Sequence, residues 1–193
     1  IRLTEIISAL DILLLIFLIV QQQIQHIKAV RENHILSKKA YLDVHTGLPN
    51  KSRCEDLLNS SGFITEPLCF VMFDIKNLKE VNDTLGHAAG DSMIANFAHI
   101  LRKVVPEKDF VGRYGGDEFI AVIYNSTKDE VTEILNRLDN EISEFNELGK
   151  AFKISYAHGC AFSSDYKDCT LKTLFDKADK YMYDNKQAEK AGR

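Results

Sequence analysis

The chain has 193 residues, of which 45 % are hydrophobic, and a formal net charge of −4 at pH 7. This length allows one domain with a sizeable core plus a modest extension. With 24 basic and 28 acidic residues, the composition does not suggest the basic stripe of nucleic-acid-binding proteins, so we predict no nucleic-acid partner. The four cysteines form no C-x-x-C pair, which favours free thiols, buried or half-buried, in a reducing compartment.

The first segment is strongly apolar. Residues 6–20 read IISALDILLLIFLIV, with Asp11 as the only charge, and approach the ~20 residues that span a bilayer. A carboxylate inside a membrane is costly, so the alternative is a buried or dimer-forming helix. We predict that residues 1–20 form a transmembrane helix that follows a sensor part upstream of this sequence. The basic residues after it favour a cytoplasmic position for the rest of the chain, anchored in the inner or plasma membrane.

Residues 21–42 are polar, with apolar residues at regular intervals. The apolar positions are Ile24, Ile27, Val30, Ile35 and Leu36, and no Pro or Gly interrupts them. This pattern predicts a continuous amphipathic linker helix that pairs as a short coiled coil. The alternative is a plain spacer helix.

After Gly47 and Pro49 the pattern changes to a compact α/β alternation. Apolar spacing near 3.6 predicts helices over residues 50–58, 91–105, 127–148 and 170–187. Continuous or alternating apolar runs predict strands over 68–75 and 152–162, and a pair of strands within 110–124 around Gly115-Gly116. Asn50 is the expected N-cap of the first helix. The fold class is therefore α/β.

Two places in this part carry carboxylates suited to chemistry. Asp74 ends the predicted buried strand, and Asp117 and Glu118 follow the two glycines of the hairpin. Carboxylates that meet in space bind Mg²⁺, which prefers one or two of them together with phosphate oxygens. The glycines permit positive φ and a close approach of a phosphate to the backbone. The alternative is a solvated hairpin tip and a strand-end cap.

Four separated blocks of sequence carry a resemblance to a known family. Residues 113–119 read RYGGDEF; residues 73–79 read FDIKNLK and continue to Asn82-Asp83, Gly86-His87 and Gly90-Asp91. Residues 43–50 read DVHTGLPN, and residues 178–186 hold an A-D-x-x-x-Y-x-x-K pattern. In this order they resemble the signature of the GGDEF family, the diguanylate cyclases, over about residues 43–190. The resemblance makes residues 43–193 the catalytic domain.

The resemblance implies a fold and a role for each matching residue. The fold would be an α+β sandwich of the nucleotide-cyclase or palm type, with a central antiparallel or mixed sheet, preceded by the long N-terminal helix. Metal ligands for Mg²⁺ (or Mn²⁺) would be Asp74, Asp117 and the backbone carbonyl of Ile75. The catalytic residues would be Asp117 and Glu118. The GTP-binding residues would be Asn77, Leu78, Lys79, Asn82, Asp91, Lys186 and Lys190.

Within this set, Asn82 and Asp91 would bind the guanine edge, because a carboxylate accepts hydrogen bonds from its N1–H and N2–H groups. The lysines and the backbone amides of Asn77 and Leu78 would hold the triphosphate.

Three positions depart from the family pattern. Lys76 stands where Asp or Asn is frequent, which would alter metal or phosphate contacts if its side chain points into the site. Lys190 stands where Arg is common, so its phosphate contact would be less forked. The inhibitory product site has the pattern R-x-x-D in many relatives. Here Pro106 replaces its Arg and Asp109 is retained, so we predict that this site is absent.

The implied function is the condensation of two GTP into cyclic di-GMP, by a homodimer with Mg²⁺. Each domain would hold half of the active site. One alternative is a catalytically inactive GTP-binding regulatory module, for which Lys76 leaves room. A second is a related cyclase that makes a mixed or adenine-containing dinucleotide, against which Asp91 argues. A third, a membrane-anchored dimerisation module, would leave the four blocks unexplained.

Overall fold

The computed structural model describes residues 13–28, 40–60 and 62–191, without the side chains of residues 60 and 189–191. It divides into two units, the first ending at Ala40 and the second beginning at Tyr41. In the first unit, residues 13–28 form a helix (α1) whose large apolar side chains are exposed. Across the described ranges, no helix is both long and apolar enough to traverse a bilayer. Residues 1–12 of the predicted span and residues 29–39 of the predicted linker helix lie outside the described residues.

The second unit alternates helices and strands. Their order is α2 (Lys51–Ser60), β1 (Leu68–Ile75), α3 (Leu78–Leu85), α4 (His87–Val104), β2 (Phe110–Arg113), β3 (Glu118–Tyr124), α5 (Lys128–Glu147), β4 (Tyr156–Phe162) and α6 (Leu171–Ala191). A short 3₁₀ helix, Ser163–Asp165, links β4 to α6. The four strands form one sheet in the order β2-β3-β1-β4, and every pairing is antiparallel. The predicted antiparallel sheet flanked by helices is confirmed.

Successive side chains of a strand project to opposite faces of the sheet, and helices pack on both faces. The odd-numbered residues of β1 pack with α4 and α5 in one hydrophobic core. The even-numbered residues pack with α2 and α6 in the other. All eight residues of β1 are buried, so this strand is the centre of a three-layer sandwich.

Several helix ends follow the sequence signals. The Arg53 amide donates to Asn50 Oδ1 at 3.1 Å, which confirms the predicted N-cap of α2. At the start of α5, Thr127 and Glu130 form a reciprocal capping box, which supplies partners for amides that lack one within the helix.

Three element predictions need correction. Helix α4 begins at His87, so Asp91 lies within the helix rather than at its start. Helix α3 was not predicted, because eight residues offer too few apolar positions for a periodic signal. Strand β4 begins only at Tyr156, because Ile154 exchanges two hydrogen bonds with the Asn146 side chain, at 2.7 and 2.8 Å, instead of extending the ladder.

Candidate active site

Asp74 and Glu118 are direct neighbours across the sheet. Asp74 lies opposite Glu118 in the antiparallel register of β1 and β3. Paired residues project to the same face of a sheet, and even-numbered positions of β1 face α6. Asp74 is 6 % exposed. The fold therefore places a buried carboxylate beside the signature hairpin, on the side that α6 covers.

Helix α6 supplies a cation to this pair. Lys186 Nζ donates to Asp74 Oδ1 at 2.7 Å, and the Lys186 side chain is 33 % exposed against 9 % for Asp74. The helix reaches the sheet closely at Gly159 of β4, where a Cβ atom would overlap the Ala178 carbonyl oxygen and the Met182 amide of α6. A glycine at this position is therefore what lets α6 lie near enough for Lys186 to contact Asp74.

Negative charge accumulates around Glu118. Burial raises the pKa of Glu118 above its usual value of 4.5, and the carboxylates of Asp117, Asp74 and Asp179 raise it further, while the Lys186 ammonium lowers it. A carboxylate with a raised pKa is a better proton acceptor near neutral pH than an ordinary one. Such an environment also attracts a cation that can offset the repulsion.

The signature hairpin is held in place from two sides. The Ile75 amide donates to the Asp117 carbonyl at 2.9 Å, which extends the β1–β3 pairing to the hairpin tip. On the other side, Arg113 donates to the Gly115 carbonyl at 3.1 Å and to the Gly116 carbonyl at 2.8 Å. The same guanidinium donates to both carboxylate oxygens of Asp43 at 3.1 Å. The turn that begins at Asp43 is thereby connected to the loop that carries Asp117.

The chain turns sharply after β1 and enters a helix. Asn77 adopts the left-handed conformation with φ 61°, and α3 begins at the next residue, Leu78. Lys79 is exposed in the first turn. Amides in the first turn of a helix have no intrahelical partner and favour anions. Three of the residues predicted to contact the triphosphate, Asn77, Leu78 and Lys79, thus lie together at a helix N-terminus that follows Asp74 and Ile75.

The two predicted guanine-binding residues are also close neighbours. Asn82 lies on α3 and Asp91 on α4. A Cβ atom at Gly90 would overlap the Asn82 side-chain oxygen, so the amide of Asn82 rests against the backbone just before Asp91. Asp91 is exposed and Asn82 is half-buried. A hydrogen-bonding edge for a base is therefore available at this helix pair.

A divalent cation fits the residues at the end of β1. Of the three predicted metal ligands, Asp74 lies opposite Glu118 in the sheet, and the Ile75 amide donates to the Asp117 carbonyl at 2.9 Å, in a locally negative environment. Among the side chains that the structure describes, no group of three or more His, Cys, Asp or Glu is arranged to hold a metal ion. The arrangement matches the habit of Mg²⁺ in phosphoryl-transfer sites, where substrate phosphates and water complete the ligand shell.

The other predicted positions are Lys190, Lys76 and the stretch of residues 106–109. The Lys190 side chain lies outside the described residues. Lys76 is half-buried, and its amide donates to the Ser155 carbonyl at 2.9 Å. The buried Asp109 accepts from the Tyr124 amide at 3.0 Å. Beside it, Arg102 donates to the Asp109 and Val105 carbonyls at 3.0 and 2.7 Å, and also to the Pro106 carbonyl.

Three residues of this site were not assigned roles from the sequence. Asp179 contributes to the charge around Glu118, and Asp43 and Arg113 connect the opening turn to the hairpin tip. All three stand within the four sequence blocks quoted above. A usable signal for Asp179 was its spacing of seven residues from Lys186, which places both on one face of α6.

Comparison with known proteins points to one family. The family model described as "Diguanylate cyclase, GGDEF domain" matches residues 40–192. Diguanylate cyclase A of Treponema denticola is 34 % identical over 131 residues, which are 67 % of this chain and 35 % of that protein. Diguanylate cyclase TpbB of Pseudomonas aeruginosa is 32 % identical over 171 residues, 84 % of this chain and 39 % of that protein. The chain thus spans little more than a third of the length of these relatives.

Solved structures agree with this placement. The GGDEF domain of TpbB (YfiN) from Pseudomonas aeruginosa superposes with a TM-score of 0.64 at 30 % identity, covering 77 % of this chain and 90 % of that one. The coiled coil and GGDEF domain of DgcB from Caulobacter crescentus, in complex with c-di-GMP, gives a TM-score of 0.76 at 23 % identity. That match covers 88 % of this chain and 93 % of the other and speaks for the fold alone.

Proposed function

Because the chain belongs to the GGDEF family of diguanylate cyclases, we propose that it condenses two molecules of GTP into cyclic di-GMP and releases two pyrophosphates. One observation carries the proposal. Asp74, at the end of a buried strand, lies directly opposite Glu118 of the signature hairpin, and Lys186 contacts it from α6 at 2.7 Å. The relatives named diguanylate cyclases support the same reaction.

Base recognition falls to Asn82 and Asp91. Both can bond the guanine edge, and the contact of Asn82 with the Gly90 backbone keeps them adjacent. Adenine lacks the N1–H and N2–H donors of guanine, so it cannot make these hydrogen bonds and is disfavoured.

The triphosphate and the metal share the end of β1. Lys79, Lys186 and the amides of Asn77 and Leu78 hold the phosphates at the start of α3, and Lys190 extends this set from α6. Asp74, Asp117 and the Ile75 carbonyl would hold Mg²⁺ or Mn²⁺. When bound, this cation would neutralise phosphate charge and lower the pKa of the attacking hydroxyl.

The reaction is an in-line displacement at phosphorus. The 3′-oxygen of one GTP forms a bond to the α-phosphorus of the other, the bond from that phosphorus to the bridging oxygen breaks, and pyrophosphate leaves. Glu118, which lies opposite Asp74 in the sheet, accepts the proton of the 3′-hydroxyl. A second, reciprocal displacement closes the ring. The residues contribute mainly positioning and charge.

One domain holds only one GTP, so the active form is a homodimer. Residues 21–42 are proposed to pair as a coiled coil that brings two domains together. Within this range, the exposed Ile24 and Ile27 of α1 are the apolar side chains that support such pairing. Attachment to a membrane through residues 1–20 stays a prediction, which flotation of the purified chain with lipid vesicles tests.

We also propose that product inhibition through residues 106–109 is weak. Pro106 has no guanidinium to offer a product phosphate, and nearby Arg102 is engaged by backbone carbonyls. The initial rate of GTP conversion should therefore change little when cyclic di-GMP is present from the start, at several times the concentration that the reaction itself produces.

The decisive experiment follows conversion of GTP by the purified chain at high protein concentration with Mg²⁺. Cyclic di-GMP is expected from the parent and from Asp56→Asn, which removes an exposed carboxylate on α2. Asp117→Asn should make none. Absence of product from a folded, dimeric parent would contradict the proposal and favour the GTP-binding regulatory module, with Lys76 as the first position to change.

A further inference from the structure

Lys186 is predicted to bind phosphate, but in this structure its ammonium group contacts the carboxylate of Asp74. Its ammonium lies 2.7 Å from Asp74 Oδ1, on a carboxylate that is itself a predicted metal ligand. We propose that Lys186 is the counter-ion of Asp74 in the nucleotide-free protein, that it competes there with the divalent cation, and that the arriving triphosphate draws it away. This inference rests on the proposed function, because it concerns the same metal and nucleotide.

The competition follows from burial and charge. Asp74 is only 9 % exposed on its side chain, and one of its oxygens is bonded to Lys186. A cation that binds through this oxygen must displace the ammonium or approach it closely, and like charges in a poorly solvated site repel strongly. Removing Lys186 without replacing its charge would leave Asp74 buried and unpaired, which is also unfavourable. The metal alone therefore gains less from Asp74 than it would from a free carboxylate.

The nucleotide changes this balance in two ways. The described side chains include no three-ligand cluster for a metal, so phosphate oxygens supply ligands that the protein lacks. The same phosphates give Lys186 an alternative anionic partner. Its side chain is 33 % exposed and has four rotatable methylene groups, so it can change partners without movement of α6. Metal and nucleotide should thus bind cooperatively, each raising the affinity for the other by the same factor.

The test measures Mn²⁺ binding rather than catalysis. Free Mn²⁺ is followed by electron paramagnetic resonance in titrations of the purified chain, with and without a GTP analogue that carries a methylene group between the α- and β-phosphorus. Titration of the analogue without protein gives the Mn²⁺ that the nucleotide itself chelates, which is subtracted. Three variants are compared with the parent: Lys186→Met removes the ammonium, Lys186→Arg keeps a cation, and Lys180→Met removes an exposed charge from the same helix. Circular dichroism verifies that each variant is folded.

For the parent, Lys186→Arg and Lys180→Met, we expect weak Mn²⁺ binding alone and at least about tenfold tighter binding with the analogue. Lys186→Met should bind Mn²⁺ alone about tenfold more tightly than Lys180→Met, and the analogue should add much less. Equal affinities of Lys186→Met and Lys180→Met without nucleotide would overturn the inference. A parent that binds no Mn²⁺ even with the analogue would overturn the proposed function as well, so the two failures are distinguishable.

Discussion

The pair of Asp43 and Arg113 offers a sharp test of how the signature hairpin is held. Asp43 accepts from the Thr46 amide and hydroxyl at 2.9 and 2.8 Å and from Arg113 at 3.1 Å. The side chains of Arg113 and Asp43 are 13 % and 19 % exposed, respectively. Asp43→Asn keeps the shape of the side chain but removes the charge that balances Arg113.

The expected loss of unfolding free energy lies between the values for exposed and for fully buried ion pairs. Exposed ion pairs contribute about 0–1 kcal/mol, whereas removing one partner of a fully buried pair costs about 3–5 kcal/mol. For this partly buried pair we expect Asp43→Asn to lower the free energy of unfolding by about 2 kcal/mol, or to lower Tm by about 4–8 °C. The assay is urea unfolding followed by circular dichroism at pH 7.

Asp176→Asn is the matched control, since it removes one carboxylate from an exposed pair with Lys172 whose side chains are 60 % and 55 % exposed. It should cost less than about 0.5 kcal/mol. If Asp43→Asn proves no more destabilising than Asp176→Asn, the charge balance at Arg113 contributes nothing and the reasoning fails.

The same pair should give a distinct pH dependence. Burial alone would raise the pKa of Asp43, but hydrogen bonds from Thr46 and Arg113 and the charge of Arg113 lower it below the usual 3.8. A carboxyl whose pKa is lower in the folded state stabilises above the unfolded pKa and loses that contribution as pH falls through the folded pKa. The difference in stability between the parent and Asp43→Asn should therefore be constant above about pH 5 and shrink below about pH 4. A constant difference down to about pH 3 would contradict an ionic origin.

Three further outcomes follow from close contacts and burial. Gly159→Ala should destabilise the fold by about 1–3 kcal/mol in urea unfolding, because its Cβ overlaps the backbone of α6, whereas Gly62→Ala, with open space around it, should be near neutral. Gly90→Ala should weaken binding of a fluorescent GTP analogue by displacing Asn82, and unchanged affinity would argue against a guanine contact there. Cys54 is fully buried and burial raises its pKa to about 12, so iodoacetamide at pH 8 should leave it unmodified, by mass spectrometry, until urea is added.

How far the sequence predicts this fold depends on the length and regularity of each element. Strand β1 matches its predicted bounds because seven of its eight residues are apolar and Asp74 and a turn mark its end. Helix α5 matches within one residue at each end because its twenty residues repeat an apolar period and begin with a capping box. Helix α3 was missed because it has only eight residues and its chain turns through a left-handed Asn77, which no periodic pattern reveals.

The candidate site was predictable in its parts but not in its contacts. The motif predicts Asp74, Asp117, Asn82 and Asp91 as site residues, since their chemistry and spacing resemble one family. The sequence could not indicate that Asp91 lies inside a helix, because His87 and the residues after it carry no clear start signal. Nor could it indicate that the Asn82 side chain lies against the backbone of Gly90, next to Asp91, because that contact depends on how α3 packs on α4.

The contact of Lys186 with Asp74 shows why contacts within the site could not be predicted from the sequence. The two residues are 112 positions apart, and each belongs to a different predicted role, phosphate binding and metal binding. Their meeting requires the even-numbered face of β1 to be the one that α6 covers, and requires Gly159 to let the helix come close. Each condition is a property of packing rather than of local sequence. A motif therefore predicts which groups serve the metal and the nucleotide, whereas the fold decides which of them bind one another before either arrives.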